Sequence, residues 1–326
     1  MADKVYSMLS VGFWRAYLVT MRPYLLFVSG AAASVGLAAI PEPVAWRVGL
    51  GFVPLFLSYG LGQALTDCFQ TDTDAISSPY RPLVQGIVTK VQVMSVSLVA
   101  LSCGVVIMAV LNPIALVFAV LAVLGLLTYT PLKRRWWGGP AWNSWIVALL
   151  PIMGRLMDSR FRVPDFFHTQ EPGAVALLLG IGSVFFGYSN FVIAGYFKDI
   201  SADRQTGYRT FPVVFGWQAN AVLSDIVSLL SAVLAGASIG MSGRLNPVGI
   251  GVFLAGVAVN VSAQVRLHRT RSEAQSHGPI ADVVRAFIFY CLGMALNARP
   301  AWWPFALVFY LLFELVLRLR PERTQV

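Results

Sequence analysis

Charge is scarce in this sequence. Asp, Glu, Lys and Arg together make up 12% of the 326 residues, whereas 57% are hydrophobic and the mean hydropathy is +0.70. An ordinary soluble domain carries about twice that share of charge, so a soluble globular chain is excluded, and a disordered one with it. Cysteine is as rare. Cys68, Cys103 and Cys291 are the only three, all in or beside apolar stretches, which excludes a disulfide scaffold. The 28 glycines follow no triplet period, so the chain is not collagen-like. The three histidines, His168, His268 and His277, read as loop residues spaced for neither a triad nor a zinc centre.

What fills the chain is apolar runs long enough to cross about 30 Å of hydrocarbon as helix. They are Pro23–Pro41, Val48–Thr66, Val91–Leu111, Pro113–Leu132, Trp136–Gly154, Pro172–Phe197, Gln218–Gly240 and Leu245–Val265, then a shorter Ala286–Ala298 and finally Ala301–Leu317. Each is continuous rather than alternating, which excludes the strands of an outer-membrane barrel. The expected fold is an all-α polytopic transmembrane bundle of nine to ten helices. It forms a single domain over residues 1–326, with an apolar central chamber capped by cytoplasmic loops. Met1–Met21 runs without a clear cleavage site into the first span and is expected to be retained as an interfacial helix.

The net charge of +9 would raise the question of nucleic acid in a soluble domain; here the lipid bilayer accounts for it and no nucleic-acid partner is expected. With the N-terminus inside, eighteen of the 24 Lys and Arg fall on inner segments, which predicts both termini on the cytoplasmic side. The outer loop Asp158–Glu171, rich in Arg and Phe, reads as a headgroup-level surface segment.

Five of the fifteen acids fall in two short windows, each beginning where a span reaches the cytoplasmic face. In TDCFQTDTD, residues Asp67, Gln70 and Asp74 are spaced to share one helical face, and Asp72 points elsewhere if the helix continues. In KDISAD, Asp199 and Asp203 are four apart. Two carboxylate faces at one membrane depth, without His or Cys partners, suit a hard cation such as Mg2+. Arg81, Lys198, Arg204 and the run Lys133, Arg134, Arg135 lie close by on the same side. Carboxylate-held Mg2+ among cations is what a diphosphate leaving group requires, and an apolar chamber beside it suits an isoprenyl diphosphate.

These residues resemble the UbiA superfamily of membrane-embedded prenyltransferases. TDCFQTDTDAISSPYRPLVQG is similar to that family's first acidic signature and YFKDISADRQTGYRTFPVVFG to its second. YTPLKRRWWG resembles its Tyr-x-x-x-Lys-Arg loop, and the MRP at Met21–Pro23 resembles its first-helix Arg-Pro. Order, spacing and membrane side agree across Arg22 to Gly216, and the phrasing is nearest the chlorophyll-synthase and archaeal ether-lipid branches. The resemblance implies that Asp67, Asp74, Asp199 and Asp203 hold Mg2+ on the diphosphate, with Gln70 able to coordinate through its amide oxygen. It implies that Lys133, Arg134 and Lys198 contact phosphate oxygens, joined by Arg22, Arg81 and Tyr129. The reaction implied is ionisation of an allylic diphosphate, then attack by an electron-rich carbon, usually of an aromatic acceptor. Thr66 stands where the family has Asn, and Gln70 where it has a second acid, so metal binding at the first motif is expected to be weaker or to shift toward Asp72.

Tyr188 and Asn190, about two turns before Asp199, are expected to project into the bundle at acceptor depth, with Thr66 as a third acceptor-side candidate. Asp225 and Glu314 lie inside apolar runs; Glu314 has Arg318 one turn on and is expected to pair with it, and Asp225 has no partner visible in sequence. Two other functions compete. A cyclase would use the same site without an acceptor, and a transporter would line a polar path through the midplane, whereas here the polar groups gather at one face and no inverted repeat is seen.

Overall fold

The computed structural model describes residues 5–161, 164 and 172–320, and among these no β-strand occurs. Helix α1 (Val11–Met21) starts where the Ser10 side chain accepts the Phe13 N–H, and it stops at Arg22 for a local reason. Pro23 disfavours the helical region for the residue before it and supplies no N–H of its own. Arg22 accordingly takes a left-handed conformation (φ 51°), and a 3-10 turn Pro23–Leu25 leads into α2 (Leu26–Ala38) at an angle of 52° to α1. The expected interfacial segment is thus a separate helix, with Phe13 and Tyr17 buried and Trp14 and Leu18 exposed.

The chain continues through α3 (Ala45–Asp67), the short α4 (Thr71–Ser77), α5 (Lys90–Leu111), α6 (Ala115–Lys133) and α7 (Gly138–Arg155). It proceeds with α8 (Pro172–Gly195), a 3-10 turn Tyr196–Lys198, the short α9 (Ile200–Gln205), α10 (Phe211–Met241), α11 (Pro247–Arg269), α12 (Glu273–Ala298), a 3-10 turn Pro300–Trp302 and α13 (Trp303–Arg318). Caps follow the sequence: Thr89 and Gln92 close a capping box on α5, and Asn246 accepts from Val248 and Gly249 N–H at the head of α11.

All ten apolar runs are helical, as the expected bundle of nine to ten helices requires. Eight described helices are long and apolar enough to cross a membrane, nine if the bent pair of α1 and α2 counts as one span. The remaining run lies in α7, whose eighteen residues include Gly138, Gly139, Pro140, Asn143 and Ser144; it is buried by its neighbours α2, α6 and α8 rather than made apolar throughout. Conversely, the short run Ala286–Ala298 is the second half of α12. Its first half carries Asp282 and Arg285, which interrupt the apolar run but are paired across helices.

Close crossings are made by small residues, as bilayer-embedded helices require. Every residue of α2 is buried. A Cβ at Gly36 would run into the Pro151 carbonyl on α7, and one at Gly154 would sit 2.5 Å from the Ala33 carbonyl. α12 occupies the other centre, against α11, α2 and α8.

Candidate active site

Both acidic motifs are built alike. A long helix ends, the backbone turns, and a short helix follows: α3 gives way to α4 between Asp67 and Thr71, and α8 gives way to α9 around Asp199. The short helices pack on each other, with the Thr73 and Thr206 hydroxyls 3.2 Å apart, so motifs 125 or more residues apart in sequence meet at one end of the bundle. The single continuous face expected for Asp67, Gln70 and Asp74 is corrected by that break. Asp67 and Asp74 nevertheless converge, because Arg81 bridges them: its Nη1 lies 3.6 Å from Asp67 Oδ2 and pairs closely with Asp74 Oδ2.

Asp67 is the most heavily held of the four acids. Arg22 Nη2 donates to both its oxygens at 2.9 Å and Gln63 Nε2 donates to Oδ1 at 2.6 Å. The left-handed turn at Arg22 therefore has a compensating contact in the site. Burial pushes the Asp74 carboxyl up, with Arg81 opposing, while Arg81 is held above its ordinary range because Asp74 and Asp67 outweigh the cost of its own burial.

The second motif is less satisfied. Asp199 accepts from Lys198 Nζ at 3.0 Å on both oxygens; burial alone would raise it, but Lys198, Lys133 and Arg81 hold it below the usual carboxylate range. Asp203 is fully buried, and burial pushes it up to about 6. Its Oδ2 accepts from Thr210 Oγ1 at 2.9 Å, and Oδ1 has no hydrogen-bond partner. An orphaned buried carboxylate oxygen is costly unless a cation or donor fills the gap.

The predicted cations divide. Lys133, at the end of α6, sits in the fields of Asp203, Asp199 and Asp74, and its Nζ donates to Gln70 Oε1 at 2.9 Å. The amide oxygen of Gln70 expected as a metal ligand is thus engaged by Lys133, and its Nε2 faces Thr130. Asp72 points outward, as expected for a residue off the acid face, and forms an exposed pair with Arg134 at 3.2 Å. Arg134 is thereby turned from the buried acids, its guanidinium 4.7 Å above the Tyr208 ring. The exposed Asp72 is not positioned to take over from Gln70.

Beside this polar cluster lies an apolar cavity of about 370 Å3. Its wall runs from Val53 to Thr66 along α3, about 20 Å at helical rise, with α5, α6 and α7 opposite. Its polar groups include Ser58, Tyr59, Gln63, Thr66, Tyr129, Asn143 and Tyr188, and Gln63 joins it directly to Asp67. Tyr188 accepts from Asn143 Nδ2 at 3.2 Å and shares a hydrogen bond with the Tyr59 hydroxyl. Thr66 and Tyr188, expected on the acceptor side, and Tyr129, expected at the diphosphate, all line this cavity. Asn190 does not: its Oδ1 accepts from Ser224 Oγ at 2.6 Å and Gln264 Nε2 at 3.4 Å, tying α8 to α10 and α11. Gln63, Tyr59, Asn143 and Thr210 were missed by sequence reading; only Gln63, one turn before Asp67, carried a local signal.

The remaining intramembrane acids are paired. Glu314 binds Arg285 of α12 at 2.6 and 2.9 Å, not Arg318 as expected, and Asp225 meets His268 Nε2 at 2.6 Å. His268 and His277 lie in α11 and α12 rather than in loops. His168 and most of the expected outer loop lie outside the described residues.

The donor set is hard oxygen throughout, with the vacant Asp203 Oδ1 among it, and this chemistry fits Mg2+. Among the described residues no three of His, Cys, Asp and Glu converge as a metal cluster, because Arg22, Arg81 and Lys198 are drawn in among the carboxylates.

The chain has similar proteins among those already known. The chain is similar to a digeranylgeranylglyceryl phosphate synthase from Pyrococcus abyssi, with 23% identity over 67% of this chain and 76% of that one. It is also similar to the chloroplastic chlorophyll synthase of Arabidopsis thaliana, with 29% identity over 58% of this chain and 49% of that one. Its fold is similar to the apo structure of a UbiA homolog from Aeropyrum pernix (TM-score 0.68, 17% identity, 84% of this chain and 97% of that one). It likewise resembles a UbiA homolog from Archaeoglobus fulgidus bound to GPP and Mg2+ (TM-score 0.62, 18% identity, 86% and 99%). Residues 25–288 match the model of the UbiA prenyltransferase family. An integral, multi-pass membrane bundle with paired acidic motifs beside an apolar cavity, this chain belongs to the UbiA prenyltransferase family and is a transferase of prenyl groups.

Proposed function

We propose that the chain moves an isoprenyl group from an isoprenyl diphosphate to an acceptor, releasing diphosphate, with Mg2+ bound by Asp67, Asp74, Asp199 and Asp203. The observation that carries this is the joint between the two halves of the site: Gln63 and Thr66 line the apolar cavity while Gln63 holds Asp67. A lipid-like tail in the cavity and a charged head on the motifs would meet there. The positive-inside bias supports a cytoplasmic position for this end and for both termini.

The residues divide the work by their charge. Lys133, Arg81, Arg22 and Lys198, now paired with carboxylates or amides, are free to turn to phosphate oxygens once the acids are occupied, so the apo pairs keep the cluster neutral until substrate arrives. Mg2+, when bound, supplies positive charge to the departing diphosphate. Asp203, with an oxygen already vacant, is the acid that needs the least rearrangement to take it. Tyr129, Tyr188 and Asn143 fix the boundary between tail and head and exclude water from the reacting carbon. An aromatic carbon nucleophile is the acceptor that the motif resemblance supports, and likeness to a protein named for a glyceryl phosphate product brings glycerol phosphate into the test panel. Gln70, which departs from the family motif, is engaged by Lys133, and no observation supports cyclisation.

The test is diphosphate release by the purified chain in detergent from isoprenyl diphosphates of increasing length, with Mg2+, with and without phenolic and glycerol phosphate acceptors. Release that requires Mg2+, rises with one acceptor and is lost in an Asp67→Asn, Asp199→Asn variant is expected. Release indifferent to Mg2+ or to that variant would overturn the assignment.

A further inference from the structure

The apolar cavity carries a hydroxyl proton that its own walls do not use. Along α3 its polar lining is Ser58, Tyr59, Gln63 and Thr66. Three of these donate within the protein: Ser58 Oγ to Leu55 O at 2.8 Å, Thr66 Oγ1 to Gln63 O at 3.0 Å, and Gln63 Nε2 to Asp67 Oδ1 at 2.6 Å. Tyr59 is different. Its hydroxyl meets the Tyr188 hydroxyl of α8, and Asn143 Nδ2 of α7 donates to that same Tyr188 oxygen at 3.2 Å. A phenol has one proton to give. Whichever of the two tyrosines donates the bond they share, the other keeps its proton, and neither hydroxyl has a further partner among the described residues.

The pair is held in place. Its rings meet edge to face with centroids 5.7 Å apart, and Tyr188, buried, packs on Phe191 and Phe287. Tyr59 precedes Gln63 by one turn, about 6 Å of helical rise, and precedes Asp67 by about 12 Å. Away from the acids the α3 wall continues as Leu57, Leu55, Pro54 and Val53, a lining for the tail. An unmet donor in so apolar a cavity is costly, and a few placed polar groups are what orient a ligand in one. An isoprenyl tail has no oxygen to accept the proton. The diphosphate oxygens belong with the acids, two turns of α3 away. The acceptor is the reactant left to supply one: with its reacting carbon at the level of Gln63, a ring carries its oxygen to the level of Tyr59.

We propose, resting on the prenyl-transfer assignment above, that the Tyr59–Tyr188 pair is an acceptor-binding site that donates a hydrogen bond to an oxygen of the acceptor. Asn143 fixes the pair by occupying the Tyr188 oxygen. The ligand class is a ring bearing a hydroxyl, carbonyl or ether oxygen about one ring's length from the carbon that receives the isoprenyl group.

The test reads binding before turnover. Fluorescence titration of the full-length protein in detergent compares methoxynaphthalene, whose oxygen can only accept, with ethylnaphthalene, of the same shape and without the oxygen. Wild type is expected to bind the ether about tenfold more tightly, the worth of one hydrogen bond. The double variant Tyr59→Phe, Tyr188→Phe is expected to bind both alike, with ethylnaphthalene affinity unchanged. Tyr59→Phe alone should fall between, because Tyr188 then has its own proton to give. In turnover with geranyl diphosphate and a phenolic acceptor, the double variant should raise the acceptor KM about tenfold and keep the donor KM. Equal affinities in wild type overturn the proposal, and so does a preference that survives the double variant. Loss of both naphthalenes together also overturns it, since the pair is then only cavity wall. Should the double variant not fold, Tyr59→Phe is read by itself: a reduced preference for the ether supports the site and an unchanged one overturns it. Wild-type protein that prefers the ether but releases no diphosphate from any donor with Mg2+ keeps the oxygen-binding site and fails the prenyl-transfer assignment.

Discussion

Asp203 is the residue whose chemistry is least settled in the metal-free protein. Its carboxyl is raised to about 6 by burial, against about 3.9 for an unfolded Asp. A group raised on folding contributes stability that is complete below the unfolded value and lost as pH rises through the folded one. Ionised Asp203 therefore destabilises the apo-protein above about pH 6. Asp203→Asn, which keeps an acceptor for Thr210, is expected to melt above wild type in chelator at pH 8 and to lose that advantage by pH 4, a swing on the order of 2–3 kcal/mol. An advantage independent of pH would mean that Asp203 titrates normally. Gln63 tests the other half of the site. Gln63→Leu leaves Asp67 one donor short at the cavity mouth, at a cost of about 1–3 kcal/mol; an increase in donor KM with retained kcat is expected, and unchanged KM would separate the cavity from the acids.

At the scale of elements, the site depends on helices that stop. Pro23 halts α1 at Arg22, and both acidic motifs sit where a long helix hands over to a short one. Equally, it depends on helices that approach closely. Gly36 faces the Pro151 carbonyl, so Gly36→Ala forces α2 and α7 apart and is expected to cost about 1–3 kcal/mol or more. Gly240 has open space around its missing Cβ, and Gly240→Ala in α10 is expected to be neutral or stabilising by up to about 1 kcal/mol. Comparing the two melting temperatures in detergent separates packing from propensity; equal effects would show that the crossing tolerates a methyl group.

At the scale of the whole molecule, α13 is attached by charge as much as by its phenylalanines. Arg266, Asp282, Arg285 and Glu314 form a chain of ion pairs across α11, α12 and α13. Breaking one partner of a desolvated pair costs about 3–5 kcal/mol, whereas replacing both with apolar groups is often neutral. Arg285→Met alone is therefore expected to lower melting sharply and Arg285→Met with Glu314→Leu to restore it. A double variant no better than the single one would show that the network, not the pair, holds α13.

What the sequence determined by itself was local and periodic: the ten apolar helices, the two acidic windows, the Lys133 loop, and the family they resemble. Hydropathy and spacing are readable because each depends on neighbours within a few turns. Only the tertiary structure decided which polar groups face one another. Asn190 turns to Ser224 and Gln264, Gln70 to Lys133, Arg134 to Asp72 and Glu314 to Arg285, and each partner lies on another element tens of residues away. The helical face of a side chain follows from its place in the chain, but what that face meets depends on crossing angles set by Gly and Ala contacts. That is also why α12 was read short: Asp282 and Arg285 look like a boundary until the cations and acids of α11 and α13 are placed against them.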